Sequence, residues 1–256
     1  MKIEFLFPEV CNLYGDSGNM RYLKASLPEA VFIETPLCGT PRFTEEKVDL
    51  VYMGGMTENT QARVIEKLRP LKDAILREIE AGTVFLCTGN AMEVFGDYIE
   101  NEDGSRVPAL GIFRMHAKRN MTARHNSAYL GEVDGIRVMG FKTQFTMAYD
   151  VPEDTQGLFR TVKGVGLNRA STHEGVRVHN FFGTYLVGPL LVLNPPFTRY
   201  LLEKAGAQNV ELAFAADAQA AYDCRLAEFE NPAAVMEKSA NDNSIPLPAF
   251  LRRKKK

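Results

Sequence analysis

"TVFLCTGNAMEVFG", residues 83–96, is the stretch on which the reading of this chain turns. Val84 to Cys87 is an unbroken apolar run with the length of a buried strand. Thr88-Gly89-Asn90 interrupts it, the pattern of a strand meeting a sharp turn before a helix. Upstream, Leu68, Leu71, Ile75 and Ile79 recur at spacings of three and four, which predicts one apolar stripe on a helix running to Ala81 and ended by Gly82. An elbow of this kind can expose a nucleophile. Cys87 is therefore either that nucleophile or a core residue of the strand.

Working outward, "KIEFLF" (2–7), "AVFIET" (30–35) and "VDLVYMGG" (48–55) read as strands. The last is an apolar run stopped by two glycines, as in a buried parallel strand that opens into a loop at its C-terminal end. "NLYGDSGNMRYLKASL" (12–27) is a Gly-rich turn feeding a helix, with Asp16 or Ser17 placed to cap it. Residues 1–96 thus alternate strand and helix, and an α/β sheet follows. Beyond Gly96 the pattern changes. "NEDGSRVPALGIF" (101–113) is a turn-rich connection, and "YLGEVDGIRVMGFK" (129–142) is a hairpin with Asp134-Gly135 at its turn. "GLFRTVKGVG" (157–166) and "VRVHNFFGTYLVGPLLVLNP" (176–195) add strands, "PPFTRYLLEKAGA" (195–207) a helix, and residues 211–229 a further helix. The expected architecture is a three-layer α/β sandwich around a mixed sheet, with parallel strands at its centre and an antiparallel extension from the second half. One domain over 1–235 is expected, followed by a flexible basic tail over 236–256 that could dock through Phe250 or Leu251.

Composition excludes several functions. With 30 basic and 32 acidic residues and a net charge of −2, no global field points to nucleic acid or an anionic membrane surface. No apolar stretch is long enough for a transmembrane helix, and "MKIEFLFPEV" meets an acidic residue and a proline before any signal-peptide core develops. A cytoplasmic protein is expected. Cys11, Cys38, Cys87 and Cys224 show no C-x-x-C spacing, so reduced thiols and no metal site are expected.

Four motifs taken together carry a resemblance. "FPEVCNLYGDSGN" (7–19), "VDLVYMGG" (48–55), the Gly82-to-Gly96 elbow and "NFFGTYLVGP" (180–189) stand in the order and spacing of class I glutamine amidotransferases of the cobyric acid synthase type. Within that family the chain resembles the glutaminase subunits of lipid II isoglutaminyl synthase, and the resemblance covers residues 1–206. It implies the class I amidotransferase fold and a Mur-ligase-like partner in cell-wall synthesis. In such enzymes an elbow cysteine attacks the side-chain amide of glutamine, a later histidine handles the protons, and backbone N–H groups hold the oxyanion. Ammonia passes to the synthetase partner.

The family signature C-G-G-x-Q-x-L-G puts the cysteine seven residues before its final glycine and about seven after the glycine ending the preceding helix. Counting back from Gly96 and forward from Gly82 gives Gly89 both times. In this register Asn90-Ala91 replace the two glycines and Glu93 the glutamine, while Cys87 lies inside the strand on the side of Phe85. Making Cys87 the nucleophile needs the register "CTGNA" as C-x-G-x-Q, with a two-residue deletion and a compensating insertion inside one elbow. The histidine position is independent of this choice. Where relatives read G-T-Y-L-H-G-P, this chain reads "GTYLVGP", so Val187 replaces the general base. His116, His125, His173 and His179 match no catalytic position, and "GFKTQF" (140–145) puts Lys142 and Gln144 where relatives carry Glu and His.

Gly54-Gly55 match the glycine loop that supplies oxyanion donors, with Met56 in place of a third glycine. Gly54, Gly55, Met56, Asn90 and Glu93 would then line a vestigial pocket, unless the glycines only form a tight turn. "NLYGDSGN" lacks G-x-x-x-x-G-K-[ST], so no P-loop and no cofactor is expected, and the turn reads as structural. Three hypotheses follow. The first is an inactive partner or regulatory subunit of a Mur-ligase-like synthetase, with a possible small-molecule ligand in the old pocket. The second is an active glutaminase using Cys87. The third is a repurposed pocket with other chemistry, using Glu93, Lys142 or His179.

Overall fold

Five parallel strands carry the elbow at their C-terminal ends. The computed structural model describes residues 1–237. Strands β1 (Lys2–Leu6), β2 (Val31–Thr35), β3 (Leu50–Met53) and β4 (Val84–Thr88) pair in the order β2-β1-β3-β4. Helices α1 (Asp16–Ser26), α2 (Glu58–Leu68) and α3 (Lys72–Ala81) fall between them. The stripe from Leu68 to Ile79 does not lie on one helix. Pro70 brings no N–H to the ladder, and a 3-10 turn over Arg69–Leu71 separates α2 from α3. Leu68, Ile75 and Ile79 are nevertheless all buried. Gly82 ends α3 at φ +92, a left-handed C-cap.

The chain then builds a feature that the sequence had concealed in a "connection". β5 (Tyr98–Glu100), β6 (Arg106–Pro108), β7 (His116–Arg119) and a later strand β10 (Thr146–Tyr149) form a separate four-stranded sheet in the order β10-β7-β5-β6. Between β7 and β10 lies the expected hairpin, β8 (His125–Val133) and β9 (Ile136–Gln144). Its two-residue turn has Asp134 at φ +48 and Gly135 at φ +80, the left-handed pair that matches strand twist. A single helical turn α4 (Glu153–Gln156) leads to β11 (Gly157–Lys163), β12 (His173–Val178) and β13 (Phe181–Thr184). β13 returns to the centre and pairs in parallel with β4, completing the nine-stranded order β2-β1-β3-β4-β13-β12-β11-β8-β9. The last four strands are the antiparallel extension.

Alternation along the parallel strands fills two cores. On one face Val51, Phe85, Cys87 and Phe181 pack with Val64, Ile65, Ile75 and Ile79 of α2 and α3. On the other, Ile3, Tyr52, Leu86 and Phe182 pack with Leu23 of α1 and with Leu190, Phe197 and Leu201 of α5 (Leu190–Leu193) and α6 (Pro195–Lys204). This makes three layers, each fully buried large side chain contributing about 1.5–3 kcal/mol. α7 (Ala215–Glu230) places Tyr222 and Phe229 against Leu130 and Met139 of the hairpin. Past α7, the Met236 carbonyl accepts from Ala128 N–H at 2.7 Å and Glu237 bridges to Ser127, so the tail expected from 236 starts docked beside β8. Phe250 and Leu251 lie outside the described residues.

Candidate functional site

At the end of β4 the chain turns on Gly89, whose φ of +60 is the left-handed value that L side chains rarely adopt. A seven-residue 3-10 run, Gly89–Phe95, follows in place of the expected helix. The loop after β3 crosses directly over this turn. A Cβ built on Gly89 would lie 3.3 Å from the Gly55 Cα and 3.9 Å from the Val187 Cγ1. Loops 54–57, 87–92 and 186–189 therefore converge at the C-terminal ends of β3, β4 and β13, where an α/β sheet holds its ligands. What converges is a glycine, a glycine and a valine. Among the described residues no thiol or imidazole lines the cleft at this point.

Cys87 lies two residues before Gly89, inside β4 between Met53 of β3 and Gly183 of β13. It is buried beside Phe85 in the core facing α2 and α3, and burial pushes its thiol well above the ordinary value. A nucleophile at an elbow needs the reverse: exposure and a lowered pKa.

The backbone donors of the glycine loop are already occupied. Gly55 N–H donates to Asp16 Oδ2 at 2.6 Å, and Met56 N–H donates to Asn90 Oδ1 at 2.9 Å. Asn90 Nδ2 returns the contact to the Met56 carbonyl at 2.8 Å. Gly54 does not reach the cleft; its Cα faces Cys11 and Asp16 so closely that a Cβ would sit 2.4 Å from the Cys11 carbonyl oxygen.

Asp16 does not cap α1. Gly15 holds the N-cap position without a side-chain bond, and the Asp16 carboxylate turns inward. There it accepts from Gly55 N–H, from the Tyr52 and Thr88 hydroxyls at 2.9 Å each, and from Gly188 N–H. The reason is satisfaction: donors from strands β3 and β4 and from the loops of Gly55 and Gly188 meet in the core, and one carboxylate serves them all. Burial raises its pKa to about 6 against those bonds. The turn "NLYGDSGN" is thus a tie between the elbow, the glycine loop and the loop of Val187.

Glu93 is the one expected pocket residue with acid–base capacity. It is buried and accepts from Gln61 Nε2 at 2.8 Å, from the Tyr185 hydroxyl at 2.9 Å and from the Thr146 hydroxyl. Burial raises its pKa, outweighing those bonds. Gln61 in turn accepts from Arg119 at 2.6 Å and donates to the Asn90 carbonyl at 2.8 Å. Glu93, Gln61, Asn90, Arg119 and Thr146 line a cleft of about 160 Å³ that also takes in Gly55, Met56, Gly89, Gln144 and Val187.

Glu93, Lys142 and His179 do not come together. Lys142 is buried away from the cleft, donating to the carbonyls of Val165 at 3.1 Å and Gly166 at 2.6 Å, with its Nζ 3.9 Å from Glu174. Burial lowers its pKa to about 8, and Glu174 is itself pushed up by burial. His179 sits in the β12–β13 turn at φ +52, at the opposite end of β13. His116 stacks between Tyr98 and Tyr149, and His173 meets Glu153 at 3.4 Å; none of the four histidines lines the elbow cleft. Among the described residues no group of three His, Cys, Asp or Glu side chains could hold a metal ion.

Sequence reading missed Asp16's inward carboxylate, Gln61 and Arg119. The signal for Asp16 was its place in a shared motif, which marked importance without showing direction. Gln61 and Arg119 carry no motif and reach the cleft only through α2 and the second sheet.

Comparison with known proteins places the chain by family and fold. The sequence model of the CobB/CobQ-like glutamine amidotransferase domain matches residues 2–194. The chain is 26% identical over 225 residues to the Streptococcus pneumoniae protein "Lipid II isoglutaminyl synthase (glutamine-hydrolyzing) subunit GatD", covering 83% of this chain and 84% of that one. It is 29% identical over 197 residues to the Staphylococcus aureus protein of the same name, covering 76% and 79%. Among solved structures, a glutamine amidotransferase matches with a TM-score of 0.52 at 18% identity, covering 80% of this chain and 99% of that one. The structure of PurLQS from Thermotoga maritima matches with a TM-score of 0.51 at 12% identity, covering 80% and 96%. These two likenesses concern the fold alone.

Proposed function

The chain belongs to the CobB/CobQ-like glutamine amidotransferase family, and on that footing we propose that it is a member that has lost glutamine hydrolysis and serves as a partner or regulatory subunit of a Mur-ligase-like synthetase in cell-wall synthesis. The observation that carries the proposal is the elbow itself. Gly89 has the left-handed backbone of the turn and Val187 faces it at van der Waals distance from any Cβ placed there. A glycine offers no nucleophile, and a valine neither takes nor gives a proton. The similarity to two GatD subunits supports the cell-wall setting and the subunit role, acting in the cytoplasm.

Two further features support loss of turnover. Asn90 holds the Met56 N–H that an oxyanion would need, and Glu93 is tied to three donors of the protein's own. The buried Cys87 argues against the alternative of an active glutaminase.

The test is release of ammonia from amide-labelled glutamine, by the protein alone and with the Mur-ligase-like partner present. No release above buffer is expected. Robust release abolished by Cys87→Ala would overturn the proposal.

A further inference from the structure

A second cleft, of about 380 Å³, opens on the other side of the Gln144–Thr146 segment from the elbow. Its walls are β7, the turn into β8, the β9–β10 junction and the loop bearing Arg169. The charge there is one-sided. Among the described residues Arg119 donates only to the neutral Gln61 and Asn101 side chains, and Arg124 only to the Tyr14 hydroxyl while stacking on Phe145 at 4.3 Å. The carboxylate that answers this charge is Glu237, reached from the end of the described chain. Arg169 grips it with both terminal nitrogens, at 3.0 and 2.5 Å, and His125 Nδ1 stands 3.4 Å away.

One donor in these walls has no partner in the described structure: the Arg119 Nε is buried without an acceptor, a bond that a carboxylate oxygen could supply. Orphaned buried polar atoms cost free energy and mark places where a bound group completes the bonding. Glu237 meanwhile shows what stereochemistry the outer part of the cleft accepts, a carboxylate held by a two-pronged guanidinium.

We propose that this cleft binds a small carboxylate ligand, that Glu237 is its internal occupant, and that ligand binding unseats the C-terminal segment from β8. The segment is poised for release. Besides the Arg169 fork and the His125 contact, it is held by the Ala128 N–H bond to the Met236 carbonyl and the bridge to Ser127. The Arg169–Glu237 pair is on the surface, and pairs of that kind are readily exchanged for a competing anion. The two clefts share Arg119, Arg124 and Gln144, but Gly89 and Val187 line only the elbow cleft and Arg169 and Glu237 only this one, so a test made at Arg169 and Glu237 is independent of whether glutamine is hydrolysed.

Citrate serves as the probe, titrated calorimetrically into the full chain at constant ionic strength. Removing the internal competitor with Glu237→Gln is expected to tighten citrate binding about fivefold, the scale of a surface ion pair. Arg169→Gln is expected to weaken it by about tenfold or more. Citrate is also expected to accelerate tryptic cleavage after Lys238 in the unmodified chain and to leave the Glu237→Gln rate unchanged, because that segment is already released. Both residues are at the surface, and unchanged thermal melting confirms that the variants fold. No citrate binding, an affinity that neither substitution moves, or a cleavage rate indifferent to citrate would each overturn the proposal.

Discussion

Asn90 and Met56 close a reciprocal pair of hydrogen bonds, the Asn90 side chain accepting from the Met56 N–H at 2.9 Å and donating to the Met56 carbonyl at 2.8 Å. The residue that follows the elbow thus plugs the loop that passes over it. The resemblance implies that the backbone of this loop supplies oxyanion donors, and here that N–H is already taken. Restoring a thiol and an imidazole with Gly89→Cys and Val187→His is therefore expected to give a labelled nucleophile without useful turnover. Adding Asn90→Gly should raise turnover by about 10²-fold, the scale of one oxyanion donor. Ammonia release by the double and triple variants measures the difference. The new side chain at position 89 must adopt φ +60 within 3.3 Å of Gly55, so each variant should also lose about 1–2 kcal/mol of stability.

Asp16 sets a pH dependence. Its carboxyl titrates in the folded protein at about 6, raised by burial from an ordinary value of 3.8. The folded state therefore holds the proton more tightly than the unfolded one. The stability Asp16 contributes is fully present below 3.8 and is lost as pH rises through about 6. Asp16→Asn removes this titration. Between pH values near 4 and near 8, urea unfolding should show the variant gaining on the unsubstituted protein by up to about 3 kcal/mol.

Glu93 separates shape from satisfaction. Glu93→Ala removes one of the two acceptors of the Gln61 amide and the shared acceptor of the Tyr185 and Thr146 hydroxyls in the core, with an expected loss of about 3–5 kcal/mol. Glu93→Gln keeps an acceptor in place and should cost less than half as much. Chemical denaturation of the two variants checks the ratio.

The architecture was legible because apolar runs and glycine stops have strict periods. Val84–Cys87, the two glycines after Met53 and the Asp134-Gly135 turn each dictated a local shape that neighbouring elements reinforced. Gly89 could be located by counting, since Gly82 and Gly96 fix both ends of one rigid unit. The second sheet was hidden because β5 and β6 have three residues each, too short for alternation to register. Pro70 broke the predicted helix while the apolar stripe ran on across the break. Side-chain direction was the deeper limit. Asp16 at the head of a helix could cap it or turn inward, and only the later arrival of Tyr52, Thr88 and Gly188 decided the matter. Lys142 meets Glu174 across a distance in sequence that no local pattern reports.

The central claim, that this elbow carries nothing able to attack, is most directly tested with a glutamine-mimicking chloroketone and intact-mass spectrometry. Cys38 and Cys224 are exposed, so the Cys38→Ser/Cys224→Ser variant leaves only the buried Cys11 and Cys87 as thiols. The account predicts no adduct on the folded variant and modification of both remaining thiols only after unfolding. A single stoichiometric adduct on Cys87 in the folded protein would contradict it.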